Sequence, residues 1–325
     1  MAWLLIPNNR LWEYDNAPAD PGANSPYRPL WLKQTAGVRT NSDGQKVYTK
    51  VRKVGTYVDT AGEISSSFWD VKGDDLKFQM EVSMPADTSF TIPCQEDGGV
   101  EFNATIDWGD GTTTTTTTYN GGGLTHTYVD AGTYTIKIDG TFPNIFFNNA
   151  GDKLLVTKVL NLGHVGWTKF NNAFHGCVNM TEFSAGASDT SGVTTFANAF
   201  SADTGLTAPE MRLDTTSAQR FDAMFLSCTF NDISGLSNWN LSSMTSTTVP
   251  PYNQGNLEVF ISNGAKMSTP EYDALLIAWA AQAPIDIGTA KFGVSKFTSG
   301  GEAEAAKELL VNTYGWVISD AGVAP

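Results

Sequence analysis

The chain has 325 residues, enough for two or three domains with separate cores, and its 34 Asp and Glu outnumber its 20 Lys and Arg. The imbalance lies in residues 73–325, with eleven basic and twenty-seven acidic side chains against nine and seven in residues 1–72, so this part should repel nucleic acid and anionic membranes. Three cysteines without a CxxC pair argue against a zinc site or a disulfide framework, and three histidines leave few candidates for acid–base chemistry.

The N-terminal apolar run, Ala2 to Ile6, is five residues long and ends at Pro7. A signal peptide needs roughly 7–15 apolar residues after a basic start, and a membrane span needs about 20. We therefore expect a protein that is made in a cytoplasm and is not inserted into a membrane.

Residues 1–72 form the first predicted region, which combines short alternating segments typical of strands with turn residues and many aromatics. The aromatics have two explanations of equal weight. They build a small core of their own, or the region docks on a partner subunit, because Trp, Tyr and Arg are favoured interface anchors. The candidate docking residues are Trp3, Trp12, Tyr27, Arg28 and Trp31.

Residues 73–140 form a second region of short strands separated by Gly, Asp and Pro turns. The segments with period-2 patterning are "LKFQMEVSM", "SFTIPC", "GVEFNATIDWG" and "THTYVDAGTYTIKIDG". Short strands at this spacing predict a β-sandwich.

The most site-like stretch is the acidic turn from Asp107 to Gly111, which seven threonines follow. Two carboxylates three residues apart fall short of the six to eight oxygens that Ca²⁺ requires, and no GK[ST] follows to make a phosphate loop. We expect a tight turn whose Asp side chains accept hydrogen bonds from turn amides. We also expect His126 to be structural, because no Cys, Ser or acidic partner lies at triad or metal spacing.

The same stretch resembles a PKD-type immunoglobulin-like domain over about residues 78–140. That family has a WGDG-like turn followed by a strand of the form H-x-Y-x-x-x-G-x-Y, and both are present in order. The resemblance implies a spacer or adhesive module, not a catalyst. The residues that carry it are Asp107, Trp108, Gly109, Asp110, Gly111, His126, Tyr128, Gly132 and Tyr134.

Residues 141–264 contain an internal repeat marked by Phe-x-x-x-Phe, which recurs after 26 and then 25 residues. The pairs are Phe170/Phe174, Phe196/Phe200 and Phe221/Phe225. A spacing of four predicts that each pair lies on one face of a short helix. One helical turn and one strand in each unit predict a stacked solenoid, since a single unit cannot bury its Phe face.

These units resemble BspA-like leucine-rich repeats, which carry "F-x-x-M-F-x-x-C-x-x-L" and "W-x-x-S-x-V". The third unit fits through Cys228 and the first through Cys177, while we align Ala202 of the second unit with the cysteines. Trp239 fits the Trp half of the motif. The resemblance implies that the cysteines are buried, reduced ladder positions.

"DTSG" from Asp189 is similar to an aspartic-protease motif, and "DTTS" from Asp214 echoes it. That chemistry needs two carboxylates that share a proton. Because the two segments stand in repeat register, we expect the repeat to account for both. We predict no catalytic residue, no metal site and no cofactor.

Residues 265–325 form the last region, with a helix in "STPEYDALLIAWAAQ", a second helix closed by Gly315 and a final strand "WVISD". This region resembles the closing segment of BspA-like arrays in bacteroidete and phage proteins. It would cap the last apolar face of the solenoid.

The expected fold is therefore multidomain and mainly β, with an α/β solenoid and a helical cap. Together the resemblances and the missing export signal favour a non-enzymatic structural protein on a bacteriophage virion surface. It would occur in several copies, contact major capsid or tail subunits, and touch a host-surface glycan or protein. The alternatives are a BspA-like bacterial adhesin and, less favoured, a carbohydrate-active enzyme, which would need two acidic residues about 5–9.5 Å apart in a cleft.

Overall fold

The computed structural model describes residues 76–186, 188–244, 257–261 and 264–325, together with the backbone of four strands near the N-terminus. The chain divides into two compact units, Met1–Lys72 and Gly73–Pro325. In the first unit, strand β1 (Ala2–Ile6) pairs antiparallel with β2 (Arg10–Tyr14), and β3 (Arg39–Thr40) pairs antiparallel with β4 (Lys46–Val47). The side chains of the five candidate docking residues lie outside the described part.

The second unit is mainly β and begins with a six-stranded sheet and a two-stranded sheet. The large sheet has the order β12-β11-β5-β10-β7-β8, and the small one pairs β6 with β9. Alternation builds its core, because Phe78, Met80 and Val82 are fully buried while the residues between them are partly exposed. The strands are β5 (Phe78–Met84), β6 (Thr88–Thr91), β7 (Asn103–Asp107), β8 (Thr113–Thr116), β9 (Thr125–Tyr128), β10 (Gly132–Thr141), β11 (Val156–Asn161) and β12 (Glu182–Phe183).

The large sheet continues into the repeats. Strand β11 pairs antiparallel with β5, and β12 pairs in parallel with β11. Single parallel β-bridges then join Ser184 to Glu210 and Glu210 to Ser234. Each repeat unit therefore adds one β-bridged segment at the edge of the sheet. The predicted boundary between residues 140 and 141 therefore lies within one continuous sheet and core.

The Phe-x-x-x-Phe segments are consecutive turns, so the predicted short helices are wrong. The middle one of the three residues between each pair of phenylalanines has a left-handed backbone. These residues are Asn172, Asn198 and Ala223, with φ of 55°, 55° and 52°. An α-helix would send each amide to its own chain four residues back. Here the amides of Phe170 and Phe174 donate to carbonyl oxygens of the next unit, at 3.0 and 2.8 Å.

The phenylalanines still share one face, and they form two columns through the stack. Centroids of successive rings are 5.6 to 5.7 Å apart in the columns Phe170–Phe196–Phe221 and Phe174–Phe200–Phe225. Each aromatic contact of this kind adds about 0.5–1.5 kcal/mol beyond the burial of apolar area. Column packing therefore replaces the helix as the reason for the four-residue spacing.

The C-terminal part of the chain holds two α-helices and a parallel sheet of three strands, and the first of these strands precedes the predicted boundary at residue 265. The elements are β13 (Leu257–Ile261), α1 (Thr269–Ala280), β14 (Thr289–Phe292), α2 (Glu302–Asn312) and β15 (Val317–Ser319). Both predicted helices and the final strand are present, with Pro270 in the first turn of α1 and Gly315 in a left-handed conformation after α2. Helix α1 extends the aromatic column, because Trp279 stacks on Trp239 with centroids 6.5 Å apart. Neither helix of the described chain is long and apolar enough to span a membrane.

Candidate functional site

The acidic turn closes the hairpin between β7 and β8. The amide of Trp108 donates to the carbonyl oxygen of Thr112 at 3.1 Å. Gly109 and Gly111 have φ of 82° and 90°, which disfavours any other residue. A Cβ at Gly109 would also lie 2.7 Å from the carbonyl oxygen of Thr135, whereas the space around Gly111 is open.

The two carboxylates of the turn accept hydrogen bonds from its own groups, as expected. Asp107 accepts the amide of Gly109 at 2.9 Å. One oxygen of Asp110 accepts both the amide of Thr112, at 2.9 Å, and its hydroxyl, at 2.6 Å. These bonds fix the shape of the loop and leave the second oxygen of Asp110 outside the hydrogen bonds of the turn.

That second oxygen lies 2.7 Å from Nε2 of His126. We predicted no acidic partner for His126 because none lies at triad or metal spacing, but the fold supplies one. Asp110 precedes it by 16 residues and lies in the turn of the large sheet, whereas His126 lies on β9 of the small sheet. The imidazole also stacks on the indole of Trp108, with centroids 5.1 Å apart. Partial burial would raise the pKa of Asp110, but the bonds from Thr112 and the contact with His126 outweigh it and lower this pKa to about 2.

Two tyrosines complete the network behind the turn. The hydroxyl of Tyr128 donates to the carbonyl oxygen of Trp108 at 2.8 Å, and burial raises the pKa of this phenol. Tyr134 stacks on Tyr128 with centroids 4.2 Å apart and donates to the carbonyl oxygen of Asp130 at 2.9 Å. Gly132 lies against the ring of Tyr134, where a Cβ would come within 3.3 Å. The structure thus brings the predicted turn and strand residues into one neighbourhood, packed around Trp108 and Tyr128 and open to solvent at Gly111.

The protease-like motif and its echo occupy equivalent turns of successive units. In each turn an Asp accepts the amide and the hydroxyl of the residue two positions later, namely Ser191 for Asp189 and Thr216 for Asp214. Between them, the buried hydroxyl of Thr190 donates to the carbonyl oxygen of Asp214 at 3.0 Å and accepts its amide at 2.8 Å. The segments are rungs of a ladder, which is the explanation expected from the repeat.

The predicted repeat core is buried, but the alignment of Ala202 with Cys177 and Cys228 is wrong. The residue of the second unit that matches Cys177 and Cys228 is Asp203, seven residues after the first Phe of each pair, and not Ala202. Ala202 matches the left-handed Gly176, which precedes the column. The fully or almost fully buried core residues are Phe170, Phe174, Cys177, Phe196, Phe200, Phe221, Phe225, Cys228 and Trp239. Cys94 lies outside the repeats and is half-buried, and burial raises the pKa of its thiol.

The other two histidines, His164 and His175, lie in loops and take part in hydrogen bonds there. His175 Nδ1 lies 3.3 Å from the amide oxygen of Asn172, and burial, together with Lys153, lowers the pKa of this imidazole. The backbone amide of His164 donates to the carbonyl oxygen of Leu76 at 2.8 Å. Within the described residues, no group of three His, Cys, Asp or Glu side chains is placed to hold a metal ion.

An open groove of about 410 Å³ lies beside the last repeat. Its lining is uncharged and rich in amides and hydroxyls: Ser237, Asn238, Trp239, Asn240, Ser242 and Gln282. Gln282 holds its walls together, because its amide accepts from the backbone of Leu241 and donates to the carbonyl oxygen of Trp239. No sequence pattern predicted this groove, since Gln282 follows Asn240 by 42 residues.

Comparisons with protein-family models, with curated proteins and with solved structures found no match to this chain.

Proposed function

We propose that this chain is a non-enzymatic structural protein of a bacteriophage particle, either a capsid decoration or head-fibre protein or a minor tail protein. Residues 1–72 dock on other virion proteins, and the acidic remainder projects outward in several copies. The observation that carries the proposal is the stack of three repeat units in the described residues, because stacked repeats form extended surfaces that are used for binding.

Particular contacts support the finer identity of the modules. The cluster of Trp108, Asp110, His126 and Tyr128 unites the residues of the PKD-type motif. The hydrogen bonds from backbone amides to the next unit and the two Phe columns support stacked repeats of the BspA-like type. The stacking of Trp279 on Trp239 supports the role of the last region as the cap.

The open groove beside Asn238 and Asn240 supports an adhesive role for the displayed part. Uncharged amides and hydroxyls are groups that bind the hydroxyls of a neutral glycan, and an acidic body does not repel such a ligand. We place a host-surface glycan at this groove as the adhesive part of the proposal.

A truncation tests the division of labour. The full chain and residues 73–325 are each mixed with phage particles that lack the chain, and bound protein is measured after sedimentation. We expect the full chain to sediment with the particles and the truncated chain to stay in solution while keeping its circular-dichroism spectrum. Equal sedimentation of both would show that residues 1–72 are not the docking region. If neither chain binds particles and the full chain is instead found on the bacterial surface, the adhesin alternative would be favoured.

A further inference from the structure

Cys177, Asp203 and Cys228 form one column inside the repeat stack. In each unit this residue follows the second Phe by three positions, and its amide donates to the carbonyl oxygen of that Phe, at 3.0, 3.1 and 3.3 Å. All three side chains are fully buried. The middle rung is thus a carboxyl group between two thiols, in a position that otherwise takes a small, weakly polar side chain.

The carboxyl group of Asp203 lacks the hydrogen bonds that a buried carboxylate needs. Neither oxygen has a hydrogen-bond partner among the described residues. The amides of Gly176 and Cys177 face it, but they already donate to the carbonyl oxygens of Ser201 and Phe174, at 2.9 and 3.0 Å. A buried carboxylate without partners is so unfavourable that the group takes up a proton instead.

The titratable groups that face Asp203 are the thiols of Cys177 and Cys228 and the ammonium group of Lys153. Burial raises the pKa of Asp203 well above its usual range, and the two facing amides and Lys153 offset this only in part. Burial likewise raises the pKa of both thiols, and the neighbouring Asp203 raises it further. These directions agree with one protonation state of the folded protein, in which Asp203 and the two thiols are all neutral.

We propose that Asp203 is a proton-dependent lock in the repeat stack: the folded stack holds it as the neutral acid, and loss of this proton loosens the stack around Cys177 and Cys228. The unfolded chain releases the same proton near pH 4. The stabilisation is therefore complete below about pH 4 and is lost as the pH rises toward the folded-state value, by up to a tenfold fall in the folding constant per pH unit.

The test measures urea unfolding of the full chain from pH 4 to pH 8. The variants are Asp203→Cys, which restores the residue type of the column, and Asp203→Asn, which cannot ionise; Asp214→Asn, in an exposed turn of the same stack, is the control. We expect the folding constant of either Asp203 variant, divided by that of the wild type, to rise with pH by up to tenfold per unit. The same ratio for Asp214→Asn should not rise with pH. A constant ratio for the Asp203 variants would overturn the proposal.

Two further readouts test the proposal, and the second needs the wild type alone, so it remains decisive if a variant does not fold. Alkylation of Cys177 and Cys228 by N-ethylmaleimide requires the stack to open, since both thiols are fully buried. We expect wild-type alkylation at pH 8 to be faster than in Asp203→Asn. In the wild type, the carboxyl ¹³C resonance of Asp203 should not titrate near pH 4, and a midpoint near pH 4 would overturn the proposal by itself.

Discussion

Phe196 and Phe221 lie face to face in successive repeat units, with ring centroids 5.6 Å apart and planes only 2° from parallel. Both rings are fully buried, and Phe221 also stacks on Trp239 at 4.8 Å. This contact carries the aromatic column from the repeats to the last region. Removing one ring should therefore weaken the stack on both sides.

The substitution Phe221→Ala leaves a cavity between two aromatic neighbours and should lower the free energy of unfolding by about 3–5 kcal/mol. Urea unfolding monitored by Trp fluorescence measures the change. The control is Val129→Ala, because Val129 is 72% exposed and such surface changes stay within about 0.5 kcal/mol. Equal losses in the two variants would contradict the column as a stabilising element.

The two glycines of the acidic turn provide a matched pair. Both have a left-handed backbone, so alanine at either position should destabilise the protein by about 1 kcal/mol or more. Gly109→Ala should be the more damaging, because its Cβ would strike the carbonyl oxygen of Thr135, while that of Gly111→Ala meets open space. Thermal unfolding compares the two, and a lower melting temperature for Gly111→Ala would contradict the described turn.

How far the sequence predicts this molecule depends on the range of the contact. Alternation in "FQMEVSM" was enough to predict strand β5, and Pro270 and Gly315 marked the helix ends. The phenylalanine spacing predicted stacking but not the backbone, because a four-residue spacing fits both a helix and two consecutive turns. Left-handed φ values at residues such as Ala223 leave no signal in composition.

Contacts between the two sheets were less predictable. Asp110 lies in a turn of the large sheet and His126 lies on β9 of the small sheet, so their contact depends on how the two sheets pack and not on a local sequence pattern. Asp203 was detectable, since counting seven residues from each first Phe aligns it with Cys177 and Cys228. Its lack of partners could be seen only with neighbouring units in place.

The hydrogen bonds that Asp110 accepts from Thr112, together with its contact with His126, predict a dependence of stability on pH. The pKa of Asp110 is lowered to about 2 in the folded protein, below its ordinary value near 3.9. The folded state therefore releases this proton more readily, and its stabilisation is present above about pH 4 and lost as the pH falls toward 2. Asp110→Asn should lose part of the decline in melting temperature between pH 4 and 2. The control is the exposed Asp139→Asn, whose melting temperature should decline as steeply as that of the wild type. An equally steep decline in Asp110→Asn would contradict this assignment.

The C-terminal region contains an ion pair between Lys307 and Asp320 that is more buried than the ion pairs on the surface. Lys307 Nζ lies 2.9 and 2.7 Å from the two carboxylate oxygens of Asp320, whose side chain is 5% exposed and also accepts the hydroxyl of Tyr272 at 2.7 Å. Lys307→Met would leave that carboxylate buried without its cation and should cost about 3–5 kcal/mol.

The matched control for this pair is Lys158→Met. Lys158 is 36% exposed and lies 3.5 Å from Glu81, and such surface pairs contribute about 0–1 kcal/mol. Urea unfolding of both variants at neutral pH gives the comparison. If Lys307→Met is no more destabilising than Lys158→Met, the buried pair does not hold α2 to the C-terminal residues.

The central claim is that this chain is a component of a phage particle. Mass spectrometry of particles purified by density gradient, from the phage whose genome encodes the chain, measures this directly. We expect peptides of the chain in the particle band. Their abundance, measured against that of the major capsid protein, should correspond to several copies of the chain per particle. Their absence from that band, with the chain present in the infected cells, would contradict it.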